Sequence, residues 1–309
     1  MGVIQSITGR TDGDRTILNH LEISDRTLKW LLLLPSVILL AFLTLYPFLQ
    51  GVWMSLHDIE SFRFVAGTQF TGLDEYRELL TDERFLGAVK NTIIFTGGGV
   101  TIQLFLGVAI AVYLKSVADS LRPIFRTIFI VPMVMTPIAT GLMWRLMLDG
   151  RIGVINFLIE LSGIAAPEWT STGTTAMIAI IMIDTWQWTP LVVLIVYAGL
   201  LAVPQQLYEA AKVDGAPQWA TFYHVTLPQV KFMIAIAAVF RLMRSFRTFD
   251  YIWLVTRGGP GTATEILNVY LYRVAFVFLD GSKAAATGII LLFGTIAISM
   301  GILKLIGEV

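Results

Sequence analysis

Six stretches of the chain are apolar over most of their length and bounded by charged or polar residues: 30–56, 91–114, 125–147, 173–200, 231–256 and 284–306. Each can cross a hydrocarbon layer of about 30 Å at about 1.5 Å of helical rise per residue. Backbone facing lipid must satisfy its own hydrogen bonds, and the alternating segments of about ten residues that build a barrel are missing. The pattern therefore predicts an all-α integral membrane fold with six transmembrane helices. The first run, Trp30 to Leu56, is uncharged and longer than the apolar core of a cleavable signal, so it is read as a retained helix. A polar leader, 1–28, precedes a membrane domain, 29–309. An even number of spans puts both termini on one side. The short second link, with Lys115, Arg122 and Arg126 against Asp119, favours placing them in the cytoplasm.

The links differ in character. In the first, Leu73, Tyr76, Leu79 and Leu80 share a helical face, which predicts a short helix lying along the membrane interface. The 148–172 link carries a second stripe, Ile152, Ile155, Leu158 and Ile159. Gly97-Gly98-Gly99 and Gly107 in the second run allow a neighbouring helix to approach closely, and packing is a simpler reading of them than a gating seam. Pro132, Pro137 and Pro190 should kink or locally open their helices.

Composition agrees with a bilayer setting: 56% of residues are hydrophobic, 14% are charged and the mean hydropathy is +0.74. Lys plus Arg and Asp plus Glu both total 22, so nothing in the charge suggests nucleic acid as a partner, and membrane lipid is the expected surroundings. The chain has no cysteine, and its three histidines, His20, His57 and His224, are scattered. No metal-ligand spacing, nucleophile elbow or phosphate-binding glycine loop is present, which leaves an embedded enzyme poorly supported. A self-sufficient secondary transporter is the other alternative, and it commonly shows internal inverted repeats.

The most informative link is 201–230. Pro204 suits a first helical turn, Glu209-Ala210-Ala211 is strongly helix-forming, Gly215 suits a left-handed cap, Pro217 can start a second helix and Pro228 should end it. Trp219, Phe222, Tyr223 and Val225 then offer an apolar face fit for docking into a groove. The stretch resembles the EAA loop of bacterial ABC importer permeases: Glu209, Ala210, Ala211, Gly215, Leu227 and Pro228 stand at that motif's spacing, with Val225 where isoleucine is usual. The resemblance extends to Asn91-Thr92, to Phe249-Asp250, and to Thr256-Arg257-Gly258-Gly259-Pro260 followed by Thr264. Together these look like the MalF/UgpA-type carbohydrate permeases, over roughly residues 30–306.

The resemblance implies a type I importer fold whose cytoplasmic EAA coupling helix docks on an ATPase. Glu209 would carry the ionic contact and Gly215 the turn, with Ala210, Ala211, Asp214, Leu227 and Pro228 completing the element. It also implies the partners: a homologous second permease, two cytoplasmic ABC ATPase subunits and a periplasmic or lipid-anchored solute-binding protein. ATP and Mg would be used by the ATPase, and no cofactor is expected on this chain. The location implied is the bacterial inner membrane, with the loop and both termini cytoplasmic.

Charges within the spans suggest the solute path. Arg241, Arg244, Arg247 and Asp250 recur at steps of three in the fifth run, too deep to reach water easily, and Arg facing lipid costs about 2.5 to 3.5 kcal/mol even on lenient scales. They must face protein or an aqueous cavity. Asp184 in the fourth run, followed by Trp186, Gln187 and Trp188, offers a counter-charge with groups that stack on sugar rings and bind hydroxyls. Counting depth from the outer ends of two antiparallel helices pairs Asp184 with Arg247 or Arg244. An ion-pair network that only joins the two helices is the competing reading for Arg241 and Asp250. Relatives of this kind often carry an acidic residue where Arg244 stands, and that departure points to an anionic sugar or polyol, such as a sulfonated or phosphorylated one.

Overall fold

The structure is a computed structural model and describes residues 25–59, 68–117 and 122–307; the predicted leader up to residue 24 lies outside them. Among the described residues the fold is helical, with a single extended bridge between His57 and Phe70. The chain divides into two compact units, meeting at Gly51 and Val52. The first holds all but the last residues of helix α1 (Asp25–Met54), which runs unbroken through Pro35 and Pro47 and displays Leu, Phe and Trp side chains along its length.

The second unit starts with α2 (Asp74–Thr81) and α3 (Glu83–Ser116). Asp82 separates them and caps α3 by accepting from the Arg84 and Phe85 backbone N–H groups at 2.8 and 3.4 Å. Only part of the predicted α2 face lies against protein: Leu79 is fully buried, while Leu73 and Leu80 stay uncovered. α3 starts well before Asn91, so the helix extends further toward its N-terminus than its purely apolar stretch.

The third span is two helices, α4 (Arg122–Val134) and α5 (Pro137–Met147), bent by 100° at Met135-Thr136. Pro137 takes the first turn of α5, where its missing N–H costs nothing, and Thr136 caps it by accepting from Ala139. A short helix, α6 (Val154–Leu161), leads to α7 (Gly173–Ala202), which remains one helix through Pro190. α7 is the hub, packing on α3, α10, α4, α5 and α11. Gly107 of α3 lies so close to Val192 that an added Cβ would fall 2.4 Å from its Cγ1, whereas Gly97 faces open space. The glycine seam therefore serves packing at Gly107.

After α8 (Gln205–Val213) and α9 (Gln218–Thr221), a π-helical turn at Phe222–Thr226 joins directly to α10 (Leu227–Ser245). Pro228 does not end the second helix as its sequence suggests. The wider turn, in which Leu227 N–H donates to Phe222 O, lets the proline enter as an early residue of α10 without clashing with the preceding turn. The fifth span also departs from 231–256: helix runs from Gln218 to Ser245, breaks at Phe246–Phe249, and resumes as α11 (Asp250–Val255). α12 (Leu267–Phe276) and α13 (Gly281–Gly307) are the last helices among the described residues. Among the described residues five helices are long and apolar enough to cross a membrane, and the count is six when the bent α4–α5 pair is taken as one span.

Candidate functional site

Asp184 of α7 is completely buried, and its partner is Arg241 of α10, also completely buried, with Nη2 donating to Oδ2 at 2.8 Å. Neither Arg244 nor Arg247 makes the pair that a depth count predicts. The depth count takes the fifth span as ending near Thr256, but the helix stops at Ser245, so the two helix ends give no common reference, and the residue that meets Asp184 is Arg241, four residues before that stop. Gln103 of α3 completes the cluster: its Nε2 donates to Asp184 Oδ2 at 2.7 Å, and its Oε1 accepts from Arg241 Nε. Tyr251 of α11 donates its hydroxyl to Asp184 Oδ1 at 2.6 Å. Four helices thus meet at one carboxylate. Close approach of α3 makes this possible, since a Cβ on Gly99 would stand 3.1 Å from Asp184 Oδ2.

In front of this cluster lies a cavity of about 590 Å³, lined by Trp188, Arg244, Arg247, Thr248, Asp250 and Tyr251, with Pro137 at the start of α5. Trp188 forms a wall whose ring carries the Arg244 guanidinium at 3.6 Å from its centroid and the Arg241 guanidinium at 5.5 Å. Arg244, Arg247 and Asp250 are exposed to the cavity, so none of these charges is directed at the chain's own interior. The break after Ser245 explains this: an uninterrupted helix would carry the three-residue stripe around its axis, whereas the turn at Phe246–Phe249 presents Arg247 and Asp250 on the same side as Arg244.

The sequence pattern therefore divides. Trp188, Arg244, Arg247 and Asp250 share the cavity wall; Asp184 and Arg241 stand directly behind it. Gln187 instead donates Nε2 to Met135 O at 3.1 Å, satisfying a carbonyl freed by the bend between α4 and α5. Trp186 packs edge-on against Trp144, at 5.6 Å between ring centroids, away from the cavity. Gln103, Tyr251 and Asn268 were not read from the pattern. The one available signal was polarity inside an apolar run, clearest for Gln103.

The two distant motifs prove to be spatial partners. Asn91 Nδ2 donates to Thr262 O and Glu265 O at 2.9 and 3.2 Å, and Thr92 Oγ1 accepts from Leu267 N–H at 2.9 Å. Glu265 is buried and held by Arg84 through two bonds of 2.9 Å and by Arg273 at 3.3 Å. Thr264 donates to Gly259 O at 2.8 Å within the loop. The loop that leads out of α11 is thus clipped to the N-terminal part of α3. Nearby, burial raises the Tyr270 phenol above its ordinary range, reinforced by its hydrogen bond to Asp82.

At the other end, Gly215 adopts φ +70°, which a left-handed turn after α8 requires. Glu209, Ala210, Asp214, Gly215 and Pro228 are exposed, Leu227 is half-buried, and Ala211 faces inward. Trp219 and Tyr223 remain 66% and 60% exposed, an uncovered aromatic surface beside the turn. Lys115 of α3 anchors the element, its ammonium 3.8 Å from the Tyr208 ring centroid and bonded to Leu200 O.

Residues 103–306 match the family described as binding-protein-dependent transport system inner membrane component. Over 260 residues the chain is 30% identical to the trehalose/maltose transport system permease protein MalF of Thermococcus litoralis, a match covering 84% of this chain and 87% of that one. It is 30% identical over 286 residues to the sulfoquinovosyl glycerol transport system permease protein SmoG of Agrobacterium fabrum, covering 93% and 92%. In fold it matches a chain of the crystal structure of a bacterial ABC transporter involved in the import of the acidic polysaccharide alginate, with a TM-score of 0.77, 22% identity, and coverage of 91% and 96%. The apolar helices, the paired motifs and these matches agree, and the chain belongs to the family of binding-protein-dependent transport system inner membrane components.

Proposed function

We propose that this chain is the permease subunit of an ATP-driven importer, that its solute is a sugar or polyol bearing an anionic group, and that the cavity in front of Asp184 is the solute path. The observation that carries this reading is the cavity wall itself. Trp188 backs the recess and carries the Arg244 guanidinium on its ring, Asp250 and Thr248 supply hydroxyl partners, and Arg244 and Arg247 supply two cations in one water-accessible recess. Guanidinium groups match sulfonate, carboxylate or phosphate oxygens in paired fashion. Relatives named for trehalose/maltose and for sulfoquinovosyl glycerol support a carbohydrate, and the second name supports an acidic one.

Transport then proceeds by alternating access, with no bond in the solute broken. A periplasmic or lipid-anchored binding protein delivers solute from outside. A homologous second permease forms the opposite wall, and two cytoplasmic ATPase subunits burn ATP with Mg. The turn at α8–Gly215–α9 is the coupling element, with Glu209 as its ionic contact; this places both termini in the cytoplasm. The exposed aromatics of that turn are the surface it would dock with.

The test uses the complete complex in lipid. Solute-stimulated ATP hydrolysis should respond to a sulfonated or phosphorylated sugar presented by the binding protein. Losing two charge-assisted contacts in Arg244→Gln/Arg247→Gln should raise the half-saturating concentration for such a solute by at least about tenfold. Equal responses of this variant and the parent to anionic and neutral solutes would refute the cavity assignment. Full coupling after replacement of Glu209 and Gly215 would refute the role of the turn.

A further inference from the structure

The break at Phe246–Phe249 directly follows the spanning helix that ends at Ser245, and carbonyls that have left the helical ladder there need another partner. Two of them have the same partner. Asn268, early in α12, donates Nδ2 to Phe246 O at 2.6 Å and to Thr248 O at 3.0 Å. An amide nitrogen carries two protons, and both are used here; two acceptors facing one group also fix which end of the side chain is nitrogen. The turn is therefore shaped from outside, by a residue on another helix.

That helix is itself firmly held. Leu267 N–H is bound by Thr92, Glu265 by Arg84 and Arg273, and the Tyr272 ring packs on Phe249 with centroids 5.0 Å apart. Between the two carbonyls that Asn268 grips stands Arg247, and two residues past the second stands Asp250; both line the cavity. Asn268 does not line it.

We propose that Asn268 is a positioning residue: by holding the turn, it sets where Arg247 and Asp250 stand in the cavity and so sets solute affinity. The second half of this statement rests on the cavity being the solute path. In Asn268→Asp the shape is kept but both donors are lost, and a carboxylate faces two carbonyl oxygens. The turn must shift. In Asn268→Gln the donors are kept on a side chain one methylene longer, which produces a smaller shift of the same kind and serves if the aspartate variant fails to assemble.

The absence of cysteine allows a measurement that does not depend on transport. A single cysteine at Arg247, reacted with a charged methanethiosulfonate in the assembled complex, reports the access of that position; a cysteine at Ile152, exposed in a distant link, is the control. Asn268→Asp should change the reaction rate at position 247 by about threefold or more, Asn268→Gln by less, and neither should affect position 152. In otherwise cysteine-free complexes, Asn268→Asp should raise the KM for solute-loaded binding protein at least about fivefold with kcat held within about twofold, as expected when reacting or binding groups are displaced by a fraction of an ångström. An unchanged labelling rate at position 247 in both variants overturns the positioning role whatever transport does. Changed labelling with an unchanged KM overturns the link to affinity, and with it the assignment of the cavity as the solute path. A fall in kcat alone, with labelling unaltered, shows a merely structural residue and also overturns it.

Discussion

Replacing Asp184 with Asn strips Arg241 of its only ion pair among the described residues while leaving the size of the side chain nearly unchanged. Arg241 and Asp184 are both at 0% exposure, so water cannot solvate the orphaned guanidinium, and Arg241 Nη1 already has no hydrogen-bond partner among the described residues. The substituted amide offers one oxygen where the carboxylate offered two, so Tyr251, Gln103 and Arg241 compete for it, and its nitrogen must face another donor. Breaking a buried pair from one side costs about 3 to 5 kcal/mol, and the lenient price of an unpaired arginine at mid-membrane, about 2.5 to 3.5 kcal/mol, falls in the same region. Titration of the purified protein from mild detergent into sodium dodecyl sulfate, followed by intrinsic fluorescence, measures the change. Removing the charges and the polar bridge together, in Asp184→Leu/Arg241→Met/Gln103→Leu, should recover most of the loss, because no charge is left buried and only the Tyr251 hydroxyl loses its acceptor. A cost below about 1 kcal/mol for Asp184→Asn, or a triple variant as unstable as its single losses summed, would refute the claim that the pair holds four helices by mutual neutralisation.

Gly107→Ala should destabilise by about 1 to 3 kcal/mol in the same titration, since its Cβ meets Val192 at 2.4 Å, whereas Gly97→Ala, with nothing within 4 Å, should be neutral or stabilise by about 0.5 to 1 kcal/mol. Gly141→Ala puts a Cβ 3.0 Å from Tyr251 Cα and 2.9 Å from Leu254 Cδ1; α5 and α11 must part, and solute-stimulated hydrolysis should fall together with stability. Asp82 gives a pH signature. Burial alone raises its carboxyl, but the Arg84 N–H, the Tyr270 hydroxyl and Lys283 together outweigh burial and hold it below 3.8. A depressed carboxyl contributes stability above its unfolded value of about 3.9 and loses it as pH falls through the lower folded value, so Asp82→Asn should flatten the acid limb of thermal inactivation below about pH 4 and lower the plateau above it. An acid limb identical in parent and variant would contradict this.

The apolar runs made the spans legible because lipid leaves a helix no other way to satisfy its backbone, and Pro132 and Pro137 marked the bend in the third span before its angle was known. The break in the fifth was not legible. Phe246-Arg247-Thr248-Phe249 contains neither glycine nor proline, and the residue that stabilises its carbonyls lies twenty positions further on. Reading through that break misplaces the C-terminal end of the helix, from which depth is counted, and gives Asp184 the wrong partner. Trp188, Arg244, Arg247 and Asp250 were legible as a group because charge in a span must find water or protein, but the same rule could not separate wall from backing, and the depth count put Arg247 or Arg244 where Arg241 stands. Asn91-Thr92 and Thr256–Thr264 were visible as motifs; that they bind each other is a tertiary fact, carried by backbone carbonyls that leave no trace in residue type.

The two interrupted spans have a consequence for how the protein is made. Gln187 caps the bend at Met135 and Asn268 caps the turn at Phe246–Phe249, and in each case the capping amide is translated well after the backbone it serves. Neither segment can reach its final shape when it leaves the insertion machinery. The third waits for α7, the turn after the fifth for α12, and a nascent chain arrested before residue 268 leaves the Phe246 and Thr248 carbonyls without the donor that later holds them. Maturation therefore runs backwards along the ribosome's output, with later helices completing earlier ones.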